Sequence, residues 1–119
     1  HVFAAHLIIL AEEEVSIGSR VFISFNVVLA DADFHPIEPA ARIADAIALS
    51  PVAHGRVRPP IATAPVRIDD DVWIGPNVTI LKGVHIGAGA FIEPGAMVTR
   101  DVPARARVLG NPAQIIGEV

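Results

Sequence analysis

The 119-residue chain has nine Lys and Arg against thirteen Asp and Glu, a formal net charge of -4, and no basic run that could follow a phosphate backbone, which argues against nucleic-acid binding. Cysteine is absent, which removes disulfides, thiolate metal sites and thiol nucleophiles together and permits a cytoplasmic location. Apolar residues make up 52% and charged residues 18%, the latter below the usual share of about 25%, so the expectation is one soluble domain with part of its surface hidden against other chains.

The chain opens at His1, without Met and already inside an apolar pattern, as a fragment or trimmed chain would. Its longest apolar run, Leu7 to Ala11, is far short of a membrane span. Ile and Val supply 30 residues, and Gly with Pro 19 more, a mixture suited to short strands broken by tight turns. A period of six then dominates. Ala11, Ile17, Ile23 and Leu29 lead the first segment, with Val15, Val21 and Val27 four residues behind. From Val66 onward one series reads Ile68, Ile74, Ile80, Ile86, Ile92 and Val98, and the second reads Val72, Val78, Val84, Ala90, Ala96 and Val102.

Neither a helix nor an alternating strand repeats at six. Three short strands closing a triangular coil do, with aliphatic ladders inside and small or turn-forming residues at the corners. Leu29 and Ile68 stand 39 apart, which is no multiple of six. Residues from about 31 to 65 therefore form a loop extruded from the coil, with Ile43, Ala44 and Ile47 at helical spacing inside it. The expected fold is all-β, a single domain over residues 1–119 built as a parallel β-helix of about four coils with a short C-terminal tail.

Ile17-Gly18 with Val21 and Ile23, His35-Pro36-Ile37-Glu38-Pro39, Val72-Trp73-Ile74-Gly75, Val84-His85-Ile86-Gly87, Val98-Thr99-Arg100-Asp101-Val102-Pro103 and Gly110-Asn111-Pro112-Ala113 occur in an order that resembles the hexapeptide-repeat, left-handed β-helix acyltransferases. The likeness is to their maltose, galactoside and nodulation-factor O-acetyltransferases and covers most of the chain. The segment between His35-Pro36 and Trp73 is longer than those relatives usually carry. The resemblance implies a homotrimer, acetyl-CoA as acyl donor, and a sugar or similar small hydroxylated acceptor.

Acyl transfer to a hydroxyl needs a base for the acceptor proton, and an imidazole, with an ordinary pKa of about 6.5, suits neutral pH. His35 is the candidate: it falls where the hexads stop, it matches the family's His-Pro, and Pro36 restricts its backbone to extended conformations. Asp31 and Asp33 stand near enough in sequence to orient the ring, and Asp33 is a candidate for the acceptor side. His85 lies between two inward positions and should point outward; His54, in the insertion, and His1, at the terminus, are read as not catalytic, and His6 is left open. No pair of histidines has the spacing of a zinc site on this fold, so no metal is expected.

Trp73 should also point outward, toward a covering partner. The resemblance gives it a place at acceptor and cofactor, puts Gly75 and Thr99-Arg100 on coenzyme A with Arg100 near a phosphate, and sets the Asn111-Pro112 turn beside the cofactor. Gln114 stands where a basic residue often follows that turn. An acceptor-holding Asn expected near Ala4, Ala5 or His6 is absent. Two alternatives stay open: N-acetylation of an amino sugar, and a non-catalytic trimeric scaffold or appended domain.

Overall fold

A computed structural model describes residues 1–52 and 55–119. Two compact units emerge, one comprising residues 1–32 and 63–119, the other residues 33–62.

The first unit contains β1 (Val2–Ala4), β2 (Leu7–Leu10), β3 (Val15–Ile17), β4 (Val21–Ile23), β5 (Val27–Ala30), β6 (Val66–Ile68), β7 (Trp73–Ile74), β8 (Thr79–Ile80), β9 (His85–Ile86), β10 (Phe91–Ile92), β11 (Met97–Val98), β12 (Ala106–Gly110) and β13 (Ala113–Glu118). Up to β12, consecutive strands do not pair with each other. They visit three sheets in rotation, ordered β1-β4-β7-β10-β12-β13, β2-β5-β8-β11 and β3-β6-β9, which makes the sheets the three faces of a triangular parallel β-helix of about four coils. Between β5 and β6, the second and third strands of one coil, the chain passes through the second unit.

Register carries the period of six into the core. Ile23, Ile74, Ile92 and Val108 align on the first face, Leu29, Ile80 and Val98 on the second, and Ile17, Ile68, Ile86 and Val102 on the third. Nearly all are sealed from solvent, Ile74, Ile80, Ile86 and Ile92 completely. Each such side chain contributes about 1.5–3 kcal/mol by burial. Ala11 is the exception to the expected series: it is exposed, because β2 ends at Leu10 and the inward repeat begins at Val15. β1 and β2 end the stack, with neighbouring strands on one side only, and expose most of their apolar residues.

The corners repeat at six as well. Asp71, Asn77, Gly83, Gly89 and Gly95 all adopt positive φ, between 60° and 79°, the left-handed region that Asn, Asp and Gly tolerate best. Corresponding corners of adjacent coils are bonded to each other, Arg20 Nε donating to Asp71 at 2.6 Å and Asn26 Nδ2 to Asn77 at 3.3 Å. Beyond β12 the chain reverses at Gly110, φ 105°, and β13 runs back antiparallel along it. That hairpin is the C-terminal tail.

The second unit contains α1 (Pro39–Ala48), close to the helix expected from Ile43, Ala44 and Ile47. Both carboxylate oxygens of Glu38 accept N–H bonds, from Ala40 at 2.9 Å and Ala41 at 2.7 Å, and Pro39 stands in the first turn, where its missing N–H costs nothing. Ile43 and Ile47 are exposed, and the helix buries Asp45 instead. No helix of the described residues is long and apolar enough to cross a membrane.

Candidate active site

His35 lies just before α1. Its Nδ1 is 2.6 Å from Oδ2 of Asp45. The other side of that carboxylate is held by Arg58, whose Nε donates to Oδ1 at 2.6 Å and whose second terminal nitrogen donates to Oδ2 at 3.1 Å and to Phe34 O at 3.3 Å. Asp45 is fully covered, while the Arg58 and His35 side chains are 33% and 52% exposed. The Arg58 bonds first, and the His35 bond after them, hold the Asp45 carboxyl down from the ordinary 3.8 to about 2.

That depression fixes the imidazole. An ionised carboxylate only accepts, so Nδ1 must carry the proton it donates to Asp45, and a neutral ring then has its lone pair at Nε2. The half-exposed ring lines a cavity of about 320 Å³ together with Asp33, Phe34, Pro36, Ile37 and Arg42. A base held in one tautomer beside a cavity is the arrangement that proton abstraction requires.

The orienting acid differs from the one expected at Asp31 or Asp33. Asp31 is buried in the β-helical unit, where its carboxylate accepts the N–H groups of Glu12, Glu13 and Glu14 at 2.6–2.7 Å. Burial pushes its carboxyl up, but those bonds outweigh burial and the net shift is downward. Asp31 thus closes the turn after β2. Asp33 stays on the cavity wall with His35, and its backbone N–H donates to Ala62 O at 2.9 Å.

Sequence reasoning missed Asp45 and Arg58. Asp45 did leave a signal, being the one acid inside the helical stretch 39–48 and lying between Ile43 and Ile47. Arg58, in a Pro-rich stretch with no period, left none.

The other expected residues lie in the β-helical unit. Trp73 is half-buried on β7 and stacks on Phe91 of the next coil at 4.3 Å. It belongs to an outward ladder in register, Phe3, Phe22, Trp73, Phe91 and Arg107, in which Phe3 stacks on Phe22 and Arg107 lies over Phe91. Neighbouring rungs therefore supply part of the cover expected from a partner. Gly75 is buried, and its N–H donates to Ile92 O at 2.9 Å. Arg100 and Pro112 line one cavity of about 420 Å³ at the C-terminal hairpin, with Asp101 and Gln114. Thr99 and Asn111 are exposed and do not line it.

His85 points outward as expected, and its Nε2 lies 2.7 Å from Asp69. That contact, with a smaller one from Arg67, holds the Asp69 carboxyl below its ordinary value. His54 lies outside the described residues. Among the described residues, no group of three or more His, Asp or Glu could hold a metal ion.

Residues 65–100 match the bacterial transferase hexapeptide family of six repeats. Over 65 residues the chain is 54% identical to 2,3,4,5-tetrahydropyridine-2,6-dicarboxylate N-acetyltransferase of Staphylococcus aureus, which is 55% of this chain and 27% of that protein. The chain therefore spans little more than a quarter of this curated relative. Among solved structures, a hexapeptide-repeat acetyltransferase from Vibrio cholerae complexed with acetyl coenzyme A superposes with a TM-score of 0.79 and 29% identity, over 99% of this chain and 57% of that one. A galactoside acetyltransferase in complex with coenzyme A gives 0.76 and 32%, over 94% and 48%. The chain thus carries the bacterial transferase hexapeptide repeat and the left-handed β-helical fold of the hexapeptide-repeat acetyltransferases, as its motifs led us to expect.

Proposed function

We propose that this chain carries an acetyl-CoA-dependent acetyltransferase site that moves an acetyl group to a hydroxyl of a sugar or similar small acceptor. The observation that carries the reading is the bond from His35 Nδ1 to Asp45 at 2.6 Å. His35 Nε2 takes the hydroxyl proton as the acceptor oxygen attacks the thioester carbonyl. The new C–O bond forms, the C–S bond breaks, and the proton passes from the imidazolium to the departing coenzyme A thiolate. Asp45 holds the ring and stabilises the imidazolium; it does not touch the reacting atoms. Arg100, with Thr99 and the Asn111-Pro112 turn, is assigned to coenzyme A; Trp73 and Gly75 border it, and Asp33 faces the acceptor. A homotrimer in the cytoplasm is the assembly and location we assign.

An amine acceptor is the second reading, favoured by the N-acetyltransferase name of the Staphylococcus aureus relative. Release of coenzyme A thiol against sugars and amino sugars tests both. His35→Ala should lower kcat by about a hundredfold to ten-thousandfold and leave coenzyme A affinity nearly unchanged. The parental rate should rise with pH, since only the unprotonated ring accepts a proton, and the variant should lose that dependence. Transfer by His35→Ala at the parental rate would remove the mechanism, and a failure to turn over any acceptor would favour a scaffold.

A further inference from the structure

We propose that the acceptor taken at His35 bears a carboxylate, and that Arg42 binds it. The proposal rests on the acetyltransferase reading and narrows its substrate class from neutral sugars to acids such as uronic acids.

The cavity beside His35 has Arg42 as its one cation among six lining residues. Arg42 lies in the first turns of α1, with its backbone N–H on Glu38 O at 2.9 Å, so a rigid element presents the guanidinium. One terminal N–H is spent on Ile37 O at a long 3.3 Å. A guanidinium has five N–H donors in a planar fork that matches a carboxylate. Glu38 interacts with Arg42 electrostatically, and its two oxygens also accept the N–H groups of Ala40 and Ala41.

The acyl donor cannot account for this cation. Coenzyme A carries its negative charge on phosphates at the end remote from the sulfur, and the pantetheine arm and thioester that must reach the base are uncharged. A fixed positive charge beside the base is therefore available to the acceptor. Phe34, Pro36 and Ile37 form much of the remaining wall. Asp33 completes the lining.

The test compares the intact chain on matched pairs, glucuronate with glucose and galacturonate with galactose, by coenzyme A thiol release. The acids should be preferred by about tenfold to a hundredfold in kcat/KM, the value of a bond to a charged group. Arg42→Gln should lower kcat/KM for the acids far more than for the neutral sugars, chiefly through KM, and Arg42→Lys should restore part of it. Glucuronate should also shift the His35 ring resonances in the parent and not in Arg42→Gln, a readout independent of turnover.

Equal losses on acids and neutral sugars would put Arg42 on the reacting oxygen and overturn the proposal. His35-dependent transfer that favours the neutral sugars would overturn it and leave the acetyltransferase reading standing. Failure to acetylate any of the four, with no shift by glucuronate, would overturn both.

Discussion

Arg58 reaches back thirteen residues to clamp Asp45, its Nε 2.6 Å from Oδ1, and it shares Oδ2 with the imidazole of His35. One carboxylate is divided between a permanent cation and an imidazole. The arginine keeps Asp45 ionised whether or not the ring is charged, so the tautomer of His35 is set by a partner that does not titrate in the working range.

This arrangement predicts an acid-sensitive inserted unit. The Asp45 carboxyl is lowered by folding from 3.8 to about 2, so between those values the unfolded chain binds the extra proton and stability rises with pH. The contribution is complete above 3.8 and disappears as pH falls toward 2. Hydrogen exchange across residues 33–62, taken relative to the intrinsic rate at each pH, should therefore accelerate as pH falls through that interval in the parent, and Asp45→Asn should show a weaker dependence, the remainder coming from Glu38, which the N–H groups of Ala41 and Ala40 also hold down. An identical pH profile in the variant would contradict the assignment.

Close stacking of coils makes a second prediction. A Cβ at Gly75 would lie 2.8 Å from the backbone nitrogen of Pro94 and 3.0 Å from Ile92 O, and one at Gly87 only 2.4 Å from the backbone nitrogen of Ala104. Backbone cannot turn aside as a side chain can, so Gly75→Ala and Gly87→Ala should each destabilise by about 1–3 kcal/mol. Gly117 meets nothing within 4 Å, and Gly117→Ala should leave the urea midpoint nearly where it was. Parental stability in Gly75→Ala would show that the coils can separate at little cost.

For the cofactor, calorimetry with coenzyme A and its dephospho form isolates Arg100. If the guanidinium meets the phosphate that distinguishes them, Arg100→Ala should weaken coenzyme A by about tenfold to a hundredfold and the dephospho form much less. Equal weakening of both ligands would move that phosphate away from the cavity shared by Arg100 and Pro112.

Assembly is the fourth prediction. The chain has only 18% charged residues and exposes Phe3 and Phe22, at 56% and 51%, along the ladder that contains Trp73. Light scattering should give three times the mass of the chain at micromolar concentration. A stable monomer that still transferred acetyl groups would remove the subunit boundary as a requirement for the site.

The coil was legible in the sequence because each hexad states its own geometry: an aliphatic such as Ile80 or Ile86 faces inward, and a corner such as Asn77 or Gly83 adopts positive φ. Stacking adds only nearest-neighbour contacts, so a local period determines a long-range structure. The same logic located the insertion, where the period fails, and singled out His35 at its edge. It could not find the partner of His35. Asp45 and Arg58 lie ten and twenty-three residues beyond it with no repeat between them, and Asp31, nearer in sequence, is taken by the backbone of residues 12–14. Which carboxylate meets the ring depends on the path of an aperiodic chain through space, and that was decided by the tertiary structure alone.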